Sequence, residues 1–135
     1  MALDRDWEKF KGGPRPAARD RIHVTLNYNS EIYFNTNAYR IMGRPEAVHL
    51  YFNRKKDSIA VVPAHPRLPD AFPVREKKNG CLVVYASPFC QNHGIKMTTT
   101  QKFVHADLDN DGNMILDLSN TITVVHPRRS RKSRS

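Results

Sequence analysis

Four sets of residues in this sequence are of types that do chemistry. Asp107, Asp109 and Asp111, followed by Gly112, spell D-x-D-x-D-G, the opening of a calcium loop in which alternate carboxylates converge and the glycine permits a sharp turn. The position where such a loop places a bidentate Glu holds Leu118, Asp117 falls one place early, and no helical pattern flanks the segment. A charged Asp-Gly hairpin tip accounts for the same letters, and no metal is assigned. Cys81, Cys90, His93 and His105 offer thiolate and imidazole, the ligands zinc prefers. Only Cys90 and His93 are close in sequence, and a cysteine pair of this kind is expected to pack as free thiols in a core. Ser87 lies between an apolar run and a short helical pattern, where a nucleophile could stand. Ala86-Ser87-Pro88 lacks the glycines of a nucleophile elbow, however, and puts proline where an oxyanion donor N–H is needed. Ser87 is therefore read as a helix cap. With no Gly-rich phosphate loop and no carboxylate pair, neither an enzyme, a cofactor nor a small-molecule substrate is expected.

The fourth set is a surface. Arg40, Arg44, Arg54, Lys55 and Lys56 form a local basic group interleaved with Asn35, Asn37 and Tyr39. Phosphate oxygens need cations and amide donors, and amides also read base edges. The alternative is that these cations only keep a hairpin turn soluble, and both readings stand at this point. The formal charge of +9 needs dissection: His126 to Ser135 carries five bases (Arg128, Arg129, Arg131, Lys132, Arg134) and no acid, leaving 17 bases against 13 acids elsewhere. Such a tail has nothing apolar to bury and is expected to be disordered alone. It offers phosphate contacts to a polyanion, or serves as a solubilising terminus.

The elements that must position these residues follow from periodicity. Ile22, Val24 and Leu26 alternate with polar residues, Asn27 to Ser30 is a polar turn, and Glu31 to Phe34 alternates again. Asn35 or Asn37 caps a short helix, Ala38 to Met42, which Gly43 ends; Arg44, preceding Pro45, is steered to extended geometry. Val48 to Phe52 and Ile59 to Val62 make a hairpin around the turn Arg54 to Asp57. Pro63, Pro66, Pro69 and Pro73 mark 64–79 as a linker or surface loop. Cys81 to Tyr85 is a strand, Phe89 to His93 a second short helix ended by Gly94, and Lys102 to Leu108 forms a hairpin with Met114 to Leu118 through Asp111-Gly112, before a last strand at Thr121 to Val125. The two halves thus echo each other in element order, through weak duplication or chance. With 135 residues, a 39% hydrophobic share and two cysteines, one β-rich domain over 21–125 is expected, of units 21–63 and 80–125. It is flanked by a flexible arm, 1–20, and the basic tail, 126–135. The fold class is mainly β with short helices (α+β). No apolar run is long enough to span a bilayer and the first residues show no secretory pattern, so a cytoplasmic protein with no membrane partner is expected.

The stretch His23 to Pro63 resembles the swapped-hairpin family of bacterial regulators that includes AbrB, MazE and MraZ. The resemblance rests on Ser30-Glu31-Ile32-Tyr33-Phe34, the helix Ala38 to Gly43, Val48-His49-Leu50-Tyr51-Phe52 and Ile59-Ala60-Val61-Val62-Pro63. It implies a swapped-hairpin-like β-barrel of one unit or two in tandem, a homodimer made by hairpin exchange, and binding of DNA through a basic surface. Ser30 stands where the family's first turn has Gly, the prolyl helix start is absent, and Asn37-Ala38-Tyr39-Arg40 replaces a D-x-x-x-R motif. The function expected is a small DNA-binding transcriptional regulator; the competing reading is a protein-interaction or assembly module with a solubilising tail. In the first case, deleting Arg128 to Ser135 should weaken binding nearly equally for all DNA sequences, because a charged tail reads phosphates and not bases. Fluorescence anisotropy on several unrelated duplexes checks this, and a changed ranking among them would refute it.

Overall fold

A strand whose apolar residues recur every second position has one face to hide, and this chain hides the apolar faces of its longer strands by stacking two sheets. The computed structural model describes residues 21–125; the expectations for the arm 1–20 and for the tail, with Arg128, Arg129, Arg131 and Lys132, lie outside the described residues. In chain order the elements are β1 (Val24–Leu26), β2 (Glu31–Phe34), α1 (Thr36–Ile41), β3 (Ala47–Asn53), β4 (Ser58–Ala64), β5 (Phe72–Pro73), β6 (Arg75–Glu76), β7 (Leu82–Tyr85), α2 (Ser87–His93), β8 (Gln101–Phe103), β9 (Ala106–Leu108), β10 (Met114–Asp117) and β11 (Thr121–Thr123). One antiparallel sheet runs β11-β8-β1-β2-β7-β6 and the other β5-β3-β4-β10-β9. The fold is mainly β with two short helices, as expected. Among the described residues the strands do not close into one barrel, because each sheet ends in two edges, β11 and β6 in one and β5 and β9 in the other. Among the described residues no helix is long and apolar enough to cross a membrane.

The core lies between the sheets. Leu26, Ile32, Phe34 and Val84 of the six-stranded sheet form one buried cluster with Val48, Ile59, Val61, Met114 and Leu116 of the other, and Ala38, Phe89 and Cys90 add the helices to it. Each large aliphatic side chain so buried is stabilised by about 1.5–3 kcal/mol relative to exposure. In both sheets strands from opposite halves of the chain are paired: β2 with β7, Ile32 opposite Val84, and β4 with β10, Val61 opposite Met114. The echo read from element order is visible here. Glu31 and Leu82 open equivalent strands, Thr36 and Ser87 equivalent helices, both 51 residues apart. Hairpin β1–β2 abuts hairpin β7–β6, and hairpin β3–β4 abuts hairpin β10–β9, so each sheet is built outward from a pair of like elements.

Several local expectations are corrected. The run from Lys102 to Leu108 is two strands, because the chain changes sheets between them: Val104 and His105 are both exposed, the Val104 N–H donates to the Asn120 carbonyl (3.1 Å), and the His105 carbonyl accepts from Asp117 N–H (3.2 Å). Such a bend is how a strand crosses between packed sheets. The segment 64–79 holds two short strands, β5 and β6, both at sheet edges, where prolines cost no interior ladder bond. Arg44 is not extended. It has φ +53° and its N–H donates to the Tyr39 carbonyl (3.0 Å), because the end of α1 is wrapped by consecutive left-handed residues, Gly43 (φ +90°) and Arg44. The cap of α2 is Ala86 rather than Ser87, which occupies the first helical turn with its Oγ 3.4 Å from Gln91 Nε2.

Of the two candidate caps of α1, Asn35 is the one used. Its Oδ1 accepts from Ala38 N–H (2.9 Å) and His23 N–H (3.1 Å), while Nδ2 donates to the Arg21 carbonyl (2.6 Å). One side chain thus starts the helix and ties it to the segment leading into β1. Asn35→Ala should lower the unfolding free energy by roughly 1–2 kcal/mol, the range for lost caps. Urea denaturation measures it, and a loss under about 0.5 kcal/mol, ordinary for a surface change, would show that the cap does not hold this junction.

Candidate nucleic-acid interface

The β3–β4 turn is closed by backbone and amide bonds that leave its cations outside. Asn53 Oδ1 accepts from Lys56 N–H (3.0 Å), Asp57 N–H reaches the Arg54 carbonyl (3.4 Å), and Asp57 is left-handed at φ +49°. The Asp57 carbonyl in turn accepts from Leu118 N–H (2.8 Å), which docks the turn onto the segment after β10. Arg54, Lys55 and Lys56 are exposed. Arg54 is also positioned: its guanidinium lies 5.2 Å from the Phe52 ring centroid, Phe52 packs 5.1 Å from His93, and His93 4.9 Å from the buried Phe89. A cation over an aromatic face is attracted by the ring's quadrupole, so this stack runs from the core of α2 to a surface charge.

The same three cations line a groove of about 710 Å³ on the outer face of the five-stranded sheet, with Tyr51, Ala60, Ile115 and Asp109 among its other walls. Register explains its shape. Tyr51 lies opposite Ala60, Ala60 opposite Ile115, and Ile115 opposite Asp107, a row crossing four strands. The small Ala60 leaves a hollow beside the Tyr51 ring, which is 57% exposed and stands edge-on to His49 at 6.4 Å and 88°. Tyr33 and Tyr39, which share with Tyr51 the outward positions of the sequence pattern, are half-buried instead. The Tyr33 hydroxyl is 3.3 Å from Glu31 Oε1 and the Tyr39 hydroxyl donates to the Pro45 carbonyl (2.6 Å).

Tertiary structure divides the basic group of the sequence. Arg40 and Arg44 are exposed on and just after α1, outside the groove; the Arg40 guanidinium donates to Asn37 Oδ1. Arg54, Lys55 and Lys56 stay together. Type and spacing do not mark Tyr51, Ala60 or Ile115 as members of this site, and mark Asp107 only as part of the acidic motif. The outward phase of Tyr51 was readable in the alternation of Val48 to Phe52, whereas its neighbours across the sheet depend on strand order.

The acidic motif is a hairpin tip. Asp109 Oδ1 accepts from Asp111 N–H and Asn113 N–H (both 2.9 Å), Oδ2 accepts from Asn113 Nδ2 (3.2 Å), and Gly112 takes φ +85°. These bonds, with that from the Asn113 backbone the strongest, hold the Asp109 carboxyl below the usual aspartate range. Among the described residues no group of three or more His, Cys, Asp or Glu is placed to hold a metal. Both cysteines are free thiols, and burial raises the pKa of Cys90.

Comparison of the chain with protein-family models, with curated proteins and with solved structures finds no match. The site therefore rests on geometry, and its acidic end has a direct test. Because the folded Asp109 carboxyl is more acidic than the unfolded one, its contribution to the turn is fully present above the unfolded value and is lost as pH falls through the folded one. The backbone amide signals of Asp111 and Asn113 should titrate together by NMR with a midpoint below the ordinary Asp value of about 3.9. A midpoint at or above that value would mean that these bonds do not persist in solution.

Proposed function

We propose that this chain is a small non-enzymatic DNA-binding protein, a transcriptional regulator of bacterial type. The observation that carries the reading is the lining of one concave groove by Arg54, Lys55 and Lys56 beside an exposed Tyr51. Cations gathered on one wall of a hollow bind a phosphate backbone, which cations spread evenly over a surface do less well. Arg40 and Arg44 act as a second contact beside α1, and Arg128, Arg129, Arg131 and Lys132 add affinity without sequence preference.

Kinship in architecture with the swapped-hairpin regulators belongs to this proposal. It is supported by the pairings β2–β7 and β4–β10, which set like elements of two units side by side within one chain, much as an exchanged dimer sets those of two chains. A homodimer would then present two grooves. The competing reading, a protein-interaction or assembly module, is favoured by β11, an edge strand whose Ile122 is 55% exposed; an open edge is a template for another strand.

Salt separates the two. Anisotropy titrations with random-sequence oligonucleotides, single-stranded and duplex, should show affinity falling steeply as salt rises. Replacing Arg54, Lys55 and Lys56 by Ala should flatten the slope of log K against log salt by up to about 0.9 per lost duplex phosphate contact. Absence of binding to either form at low salt would end the regulator reading and leave the assembly module.

A further inference from the structure

We infer that the groove takes a single strand of DNA in preference to duplex, with a base stacked on Tyr51; the inference rests on the nucleic-acid reading above. Three features of the face carry it. The first is the platform: the exposed Tyr51 ring is set edge-on to His49, with the small Ala60 directly opposite on β4. A flat base can lie against that ring without displacing a side chain, and every base has a π-face to offer.

The second feature is electrostatic asymmetry. Arg54, Lys55 and Lys56 stand at the β3–β4 turn, whereas Asp107 and Asp109 stand at the far edge, on and just after β9. Asp107 is three strands from Tyr51, about 14 Å at ~4.8 Å per strand. A duplex carries a charge for about every 1.7 Å of its length, on two backbones flanking either groove. One backbone laid along the cations would bring the other toward the carboxylates, where it is repelled. A single strand has one backbone. With its phosphates along the turn, its bases lie over the outer face, where Tyr51 stands on β3 and Asp107 three strands away on β9.

The third feature is what that edge accepts. Base edges carry amino N–H donors, on C, A and G, and a carboxylate is an acceptor for them. Asp107 is exposed at the end of the Tyr51 row. Asp109, already committed to turn amides, supplies fixed negative charge rather than a free acceptor. The cations thus lie along β3 from the stacking ring and the acceptor lies across the strands from it, so phosphates, a base face and a neighbouring base edge each meet a group of matching chemistry on one face.

The test uses the full chain and labelled random-sequence oligonucleotides of equal length: a DNA strand, its duplex and an RNA strand. The DNA strand should bind about tenfold more tightly than the duplex, the scale of one stacked base. Tyr51→Ala should collapse that ratio, Tyr51→Phe should keep it, and Asp107→Lys should narrow it by improving duplex binding. Tyr51 and Asp107 are exposed, so circular dichroism should show all three variants folded. Equal affinity for strand and duplex, or a ratio indifferent to Tyr51→Ala, overturns the inference while the nucleic-acid reading stands. Tighter binding of RNA overturns the choice of DNA. Binding of neither form removes the underlying reading and this inference with it.

Discussion

Each half of this chain has more apolar face than it can cover by itself. A unit of about forty residues is too small to enclose a core, and the packing reflects it: Ile32 and Phe34 on β2 and Ile59 and Val61 on β4 are buried in one cluster with Val84, Met114 and Leu116 of the other half. The second half supplies the missing surface twice, as strand partners within each sheet and as a layer across the core. Leu82 and Val84 extend the first sheet while Met114 and Leu116 extend the second. The two halves therefore depend on one another at three joins, β1–β8, β2–β7 and β4–β10. Loss of either half would expose an apolar face and three strand edges together.

With the inward faces committed, function is left to the turns and outward faces. The β3–β4 hairpin illustrates how the two are connected. Leu50 packs toward the core while Tyr51 faces out, and the same strand carries Phe52, on which Arg54 rests, down to the His93–Phe89 stack of α2. A surface cation is thereby referred to a buried phenyl ring through two intervening side chains. Such support matters for recognition, since a charge that is already positioned loses less freedom on binding than one on a free stem.

The two halves agree in architecture and differ in charge. The turn of the first hairpin reads Arg54-Lys55-Lys56-Asp57 and that of the second Asp109-Asn110-Asp111-Gly112. Both are closed by side-chain acceptors on backbone amides, Asn53 in one and Asp109 in the other. The backbone demands are alike and the charges are not, so the five-stranded sheet is positive at one corner and negative at another.

Most of the elements were legible in the sequence because they are local. Alternation over Val24 to Leu26, Glu31 to Phe34 and Val48 to Phe52, the stops at Gly43 and Gly94, and the Asp-Gly tip each depend on residues a few positions apart, and a short peptide already expresses those preferences. The misreadings were local rules overruled from a distance. Arg44 is left-handed although proline follows it, because the end of α1 must be wrapped; the run from Lys102 to Leu108 breaks because its two ends belong to different sheets. The candidate cations were likewise readable as types. That Arg54, Lys55 and Lys56 share a groove while Arg40 and Arg44 lie outside it was not. Neither was the row from Tyr51 through Ala60 and Ile115 to Asp107, which joins residues up to 56 positions apart. Local sequence determined which side of each strand faces out, through the two-residue period of the backbone. Only the tertiary pairing decided which outward residues became neighbours, since strand order is set by the burial of whole faces and leaves no mark within any one strand.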